Sequence, residues 1–298
     1  MYRRPWTDDA FTAATPANLP PLPDGPALTV LVIGDFGTGD HGQVEVSRAI
    51  AQTHASEPPD LVLTVGDNFY PEGVEDVNDP LWQTVFERVY SGPFWEELVF
   101  FPALGNHDVM GNERAQIDYS AKSRRWSLPG NYYTFRRALA SGDTVRFLAL
   151  DTSLLDRGGE RAEAQVEWVD SILGASKDRW VLAYGHHPMV TGGWHSSNET
   201  VREYLAPRFE GTVSLFLSGH NHSTELLQVS EELLQAVCGG GAGRDNAYRV
   251  DDTPETLAAF SNGGWCFLQF WPDTLAIELY NRAGTLRFRH LVAHPEGG

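Results

Sequence analysis

The sequence predicts an α/β protein built on parallel or mixed sheets with helical crossovers. Three observations carry that expectation. Short apolar runs recur at 28–33, 61–65, 98–104, 180–184 and 213–217, each continuous in the way of strands covered on both faces. Stretches with helical periodicity follow or separate them at 42–54, 80–90, 113–123, 160–174 and 198–209. Each run then ends in glycine followed at once by a polar group: GDFG at 34–37, GDNFY at 66–70, GNHD at 105–108, GHHP at 185–188 and GHNH at 219–222. In open sheets the C-terminal strand ends line one edge, and that edge carries the site.

Each element follows from its residues. The first run, LTVLVI, precedes a helix with Val46, Ile50 and Ala51 on one side. The third run contains Pro102. The stretches 131–137 and 144–151 form a hairpin turned through Ser141 and Gly142. In 160–174 the expected buried set is Ala164, Val166, Trp168, Val169 and Ile172. Beyond 223 strands are expected near 224–229, 232–238, 265–271, 274–281 and 285–292, interrupted by a glycine-rich loop from Gly239. Residues 1–27, with Pro16, Pro20, Pro21, Pro23 and Pro26, form an arm that can hold neither helix nor central strand.

Composition excludes several classes. At 298 residues with 42% apolar and 21% charged content, the chain is a globular protein of one large or two ordinary domains. A net charge of -18 argues against nucleic acid and anionic membrane as partners, because both need a basic face. Cations held locally would still let it take an anionic substrate. No apolar run reaches the roughly 18 residues of a membrane span. No apolar leader segment follows Arg3 and Arg4, so a cytoplasmic location is expected, or a periplasmic or secreted one if a signal was removed. The two cysteines, Cys238 and Cys266, are read as buried free thiols, with a single bridge as the alternative.

The polar loops bring Asp35, Asp67, Tyr70, Asn106, His186, His220 and His222 to one edge. Singly, each has an ordinary role: a helix cap for Asp35 or Asp67, a turn residue for Asn106, a rim residue for Tyr70. Jointly they are seven oxygen and nitrogen donors with no thiolate, a set suited to iron, manganese or zinc. Seven exceed one tetrahedral zinc and fit two metals sharing a carboxylate, a known device for displacement at phosphorus.

These five motifs, in this order, resemble the purple acid phosphatases of the metallophosphoesterase superfamily, nearest the small tartrate-resistant type. The likeness extends through GDNFYPEGVEDVNDP and GNHDVMGNERAQIDYSAKSRRW to the last strands. It implies a four-layer α/β/β/α sandwich of two mixed sheets flanked by helices, with 28–298 as one catalytic domain. It also implies Fe(III) held by Asp35, Tyr70 and His222. A divalent iron, zinc or manganese would be held by Asn106, His186 and His220, with Asp67 bridging. Relatives in the wider superfamily carry histidine in the third place of the first motif. Here Gly37 stands there and Tyr70 is available instead, which points to the purple group.

The implied activity is hydrolysis of small phosphate monoesters by a metal-activated hydroxide. His107 and His195 would serve the leaving group, and Asp108 would orient His107. His187 is assigned no metal. Between Asp151 and a helix starting near Glu160 the chain has only TSLLDRGGE, where mammalian relatives carry a longer repressing loop, so an open site without proteolytic activation is expected. A phosphodiesterase of the same superfamily acting on cyclic nucleotides or phospholipid head groups is the alternative. A non-catalytic or redox-active di-iron protein is the alternative from another class.

Overall fold

The computed structural model describes residues 19–25, 27–242 and 250–295. The arm expected at 1–27 falls mostly outside them, as do residues 243–249 of the glycine-rich loop. Two mixed sheets form the frame. The first contains β1 (Leu28–Ile33), β2 (Leu61–Val65) and β3 (Phe100–Ala103), all parallel. The second contains β4 (Tyr133–Ala138), β5 (Thr144–Ala149), β6 (Trp180–Tyr184), β7 (Leu215–Ser218), β8 (Thr224–Gln228), β9 (Leu234–Cys238) and β10 (Thr256–Phe260). The chain then returns to the first sheet with β11 (Gly264–Phe270), β12 (Thr274–Asn281) and β13 (Leu286–Ala293). The strand orders are β13-β12-β11-β1-β2-β3 and β10-β8-β9-β7-β6-β5-β4.

Alternation along the second sheet explains the layering. In β6, Trp180, Leu182 and Tyr184 face a core shared with the first sheet, while Val181 and Ala183 face a second core. The second core is closed by α3 (Thr152–Arg157), α4 (Glu160–Ala175) and α5 (Glu199–Phe209), through Leu155, Val166, Val169, Leu205 and Phe209. Across the first sheet, α1 (His41–Thr53) packs Val46 and Ile50, and α2 (Glu113–Tyr119) packs Ala115. The result is the expected sandwich of helices, sheet, sheet and helices.

Helix starts follow the capping rule: Asp40, Asn112, Asp151 and Asn198 each accept a backbone N–H two or three residues into the following helix. Several details differ from expectation. The segment after Asp151, given no element in the sequence reading, is a helix, α3. On α4, Ala162 and Gln165 are buried and Ala164 is exposed, because the buried stripe lies one position round from the expected face. The stretch near 80–90 contains a π-helical turn, Trp82–Glu87, and β10 had no counterpart in the sequence reading.

The cysteine expectation is overturned. Cys238 and Cys266 form a disulfide with Cα atoms 5.7 Å apart. Cys238 ends β9 and Cys266 is the third residue of β11, on facing sheets, a juxtaposition that sequence spacing cannot show. Among the described residues no helix is long and apolar enough to cross a membrane.

Candidate metal centre

The C-terminal ends of β1, β2, β3, β6 and β7 converge, and each delivers its polar loop to one edge. Asp35, Asp67 and His220 sit at φ 55, 52 and 68, the left-handed region that non-glycine residues enter rarely. Such conformations concentrate at functional sites, where surrounding contacts enforce them. The glycines ahead of the donors permit the crowding. A Cβ on Gly66 would lie 2.6 Å from His186 Nδ1, and one on Gly105 would lie 2.2 Å from Asp67 Oδ1.

The donors gather in two groups. In the first, the Tyr70 hydroxyl stands 3.3 Å from Asp35 Oδ1, 2.9 Å from Asp67 Oδ2 and 3.3 Å from His222 Nε2. In the second, Asn106 Oδ1 stands 2.9 Å from His186 Nε2 and 3.0 Å from His220 Nδ1, and those two nitrogens are 3.2 Å apart. Asp67 Oδ1 lies 3.4 Å from His186 Nε2. Asp67 therefore turns one oxygen to each group. Donors about 2.1 Å from a common centre stand about 3.0 Å apart at a right angle and about 3.4 Å at the tetrahedral angle. The observed separations fall in and around that range.

Proton accounting tests the fit to cations. His186 Nδ1 faces the Val65 carbonyl at 2.9 Å and must donate its hydrogen there. With that hydrogen on Nδ1, a ring carrying one proton points a bare Nε2 lone pair at Asn106 Oδ1. Likewise the Tyr70 hydroxyl has one proton for the two carboxylate oxygens of Asp35 and Asp67. A cation between the facing lone pairs resolves both conflicts, so the donor set fits metal. Burial, and after it the nearby charge of Asp67, raises the Asp35 carboxyl well above its ordinary range. Burial and the surrounding imidazoles depress His220. Positive charge held here would reverse the penalty on the carboxylates.

Position 37 has no room for a side chain. A Cβ on Gly37 would lie 2.3 Å from the Asn68 carbonyl oxygen. The loop after β2 packs against that glycine, with Gly37 donating to the Asp67 carbonyl and Tyr70 donating to the Gly37 carbonyl. The close approach brings the Tyr70 hydroxyl into the first group.

A family model described as calcineurin-like phosphoesterase matches residues 28–224. The chain belongs to this family. It is similar to human tartrate-resistant acid phosphatase type 5, at 31% identity over 302 residues, covering 91% of this chain and 93% of that protein. Among solved structures, it resembles GAP50, the anchor in the inner membrane complex of Plasmodium, with TM-score 0.82, 21% identity and coverage of 91% and 90%. A purple acid phosphatase from yellow lupin seeds matches with TM-score 0.67 and 15% identity, covering 92% of this chain and 55% of that one. The chain is thus a metallophosphoesterase-type hydrolase of purple acid phosphatase likeness, and its relatives imply a dimetal centre.

The remaining residues of this phosphoesterase site differ in what the structure gives them. His107 donates its backbone N–H to Asp67 Oδ1 at 3.0 Å, and its Nδ1 faces the Pro71 carbonyl. Its Nε2 lies 4.0 Å from Asp67 Oδ2. Asp108 does not hydrogen-bond His107 as expected. Its carboxylate accepts from the N–H groups of Asn68, Phe69 and Gly105 and from the Gln116 amide, so it ties the Asp67 and Asn106 loops together. Burial, followed by the charge of Asp67, pushes its carboxyl up to about 7. The His195 ring lies 4.3 Å from that of His220, and its backbone is clamped by Asn221. His187 points Nδ1 at Thr152 Oγ1, and burial pushes it down to about 3.

Sequence reading missed the supports. Thr152, Asn68, Gln116, Asn221 and Glu225 carry no spacing signal of their own. Asn68 and Asn221 stood inside the quoted motifs, although nothing there showed what they hold.

Proposed function

We propose that this phosphoesterase is a binuclear-metal phosphomonoesterase of the acid phosphatase type, with residues 28–298 acting as one catalytic unit. The observation that carries this reading is Asp67, whose two oxygens serve separate donor groups. Asp35, Tyr70 and His222 would hold Fe(III), because carboxylate and phenolate stabilise a hard trivalent ion. Asn106, His186 and His220 are neutral donors that suit divalent iron, zinc or manganese. When bound, the pair supplies a water of lowered pKa and positive charge for the phosphoryl oxygens.

The chain's own residues do the rest. His186 is locked by the Val65 carbonyl, so Nε2 remains a donor of electrons throughout. His107, with Nδ1 committed to the Pro71 carbonyl, keeps Nε2 to hold a proton for the leaving oxygen. His195 stands on the opposite loop for the same task. Asp108 fixes the relative position of the two loops that carry Asp67 and Asn106. α3 fills the place of the longer loop of mammalian relatives, which supports activity without proteolysis. The Cys238–Cys266 bridge favours work in an oxidising compartment.

The deciding experiment measures metal content, the visible spectrum and rates on an aryl phosphate monoester and a bis-aryl diester. We expect two metals per chain, a tyrosinate-to-iron band and preference for the monoester. Hydrolysis of the diester alone would make the protein a phosphodiesterase. Parental turnover in Asp67→Ala would remove the bridging role altogether.

A further inference from the structure

The Cys238–Cys266 bridge lies next to the loop that carries Asp35. Cys266 pairs with Val32 across the β1–β11 ladder, and Asp35 follows Val32 by three residues. Cys238 ends β9, and Gly239, Gly240 and Gly241 follow it directly.

These glycines form a wall behind Asp35. A Cβ on Gly239 would lie 2.6 Å from Asp35 Oδ2, and one on Gly241 would lie 2.7 Å from the Gly34 carbonyl oxygen and 2.8 Å from Phe36 Cβ. The Gly241 N–H donates to the Gly34 carbonyl at 3.0 Å. The Gly264 N–H, at the start of β11, donates to the Gly240 carbonyl at 3.0 Å. Asp35 needs such enforcement, because it is fully buried and held at φ 55. Its Oδ2 accepts the His220 N–H at 2.9 Å, while Oδ1 turns to the Tyr70 hydroxyl. One oxygen is thus anchored and the other is presented to the first donor group.

The wall arrives from the second sheet, whereas Asp35 belongs to the first. Facing sheets meet through interdigitating side chains. A covalent link fixes their offset at this one point. We propose that the Cys238–Cys266 bridge positions Asp35, so that the first donor group holds a trivalent ion tightly only when the pair is oxidised. This rests on the dimetal part of the function proposed above and not on the choice of ester. Forming the bridge passes two electrons from the two thiols to a disulfide oxidant such as oxidised glutathione. The two protons end on the two glutathione thiols released. Both cysteines are fully buried, and exchange needs access, so the state is set while the chain folds.

The test uses gallium(III), a trivalent ion that thiols do not reduce, with zinc(II) for the second group. Metal retention against a competing chelator is measured for the oxidised parent and for Cys238→Ala/Cys266→Ala. Gallium should bind about tenfold or more weakly in the double variant, with zinc changed less than about twofold. Parent folded as the dithiol, with reductant removed before metal is added, should show the same loss of gallium. Folding it with oxidised glutathione should restore the ion. Gly241→Ala keeps the bridge and pushes on Gly34 and Phe36, so it should reproduce the loss. Leu205→Ala, a truncation in the second core, lowers stability to a comparable extent and should keep gallium. Equal gallium affinity with and without the bridge would overturn the proposal, as would parental affinity in Gly241→Ala or no recovery with glutathione. A parallel loss of both metals, or the same gallium loss in Leu205→Ala, would reduce the bridge to a structural staple and overturn it too. An oxidised parent that holds no trivalent ion would remove the dimetal reading itself, and the positioning role with it.

Discussion

The Thr152 hydroxyl accepts the backbone N–H of His186 at 3.0 Å, and it bonds the neighbouring residue twice. It accepts His187 N–H at 2.9 Å and donates to His187 Nδ1 at 3.0 Å. One side chain at the start of α3 therefore sets the backbone of the loop that carries His186, a proposed metal donor. Thr152→Val keeps the shape and leaves two buried N–H groups without an acceptor, at about 1–3 kcal/mol each. We expect a lower melting temperature and divalent-metal affinity weakened roughly 10–100-fold, as for other supports of metal ligands. Thr152→Ser should restore both. Metal titration followed by thermal unfolding checks this, and parental affinity in the valine variant would show that Thr152 acts on stability alone.

Tyr70 offers a test of the division between the two donor groups. Its hydroxyl touches Asp35, Asp67 and His222, the donors of the first group. Tyr70→Phe should abolish the visible charge-transfer band and loosen the ion of the first group by at least about tenfold. The second ion should stay. Metal analysis and a spectrum of the iron-loaded variant read this directly. A variant that keeps its colour would mean that phenolate does not bind iron here.

Much of the site was legible because strand ends have a strict local grammar. A buried strand, a glycine and a donor are contiguous in sequence, so Asp35, Asp67, Asn106, His186 and His220 could all be located before any coordinates. Tyr70 and His222 were legible by short offsets from those positions. What supports the donors was not, because it is non-local. Asp108 meets Asn68 across 40 residues, and Glu225 meets Thr191 across 34. Neither pairing leaves a periodic trace. The helix α3 was hidden for another reason: at six residues with Gly158 and Gly159 following, it is too short for a periodicity argument. Cys238 and Cys266 lie in different sheets, and their meeting depends on sheet packing that the chain order does not reveal.

That bridge closes a loop of 28 residues between the two sheets. In the chain-entropy account a loop of this length contributes about 3–4 kcal/mol by restricting the unfolded state. Replacing both Cys238 and Cys266 by alanine should lower the urea midpoint accordingly, and reductant should have the same effect on the parent. Reductant should leave the double variant unchanged. Coincident unfolding curves for oxidised and reduced parent would show that the bridge does not stabilise the fold.

His54 predicts a pH-dependent loss of stability away from the metal donors. It is 6% exposed, stacked on Phe267 with ring centroids 4.1 Å apart, and its Nε2 accepts the Trp265 indole N–H at 3.1 Å. Protonation would set N–H against N–H in an apolar pocket, and burial lowers its pKa from 6.5 to about 4. Between those values the unfolded chain binds a proton that the folded chain refuses. Its contribution is therefore full above about pH 6.5, declines as pH falls, and levels off below about pH 4. The loss is on the order of 3 kcal/mol. Asp151 and Glu225, whose carboxyls burial raises, act in the opposite sense, because their folded state binds protons more readily. They titrate equally in parent and variant, so the difference between two curves isolates His54. His54→Gln keeps an acceptor for Trp265 and removes the titration. Measured by urea unfolding from pH 4 to 7.5, the stability gap between parent and His54→Gln should shift in favour of the variant as pH falls. A gap independent of pH would mean that His54 is as easily protonated in the fold as in the unfolded chain.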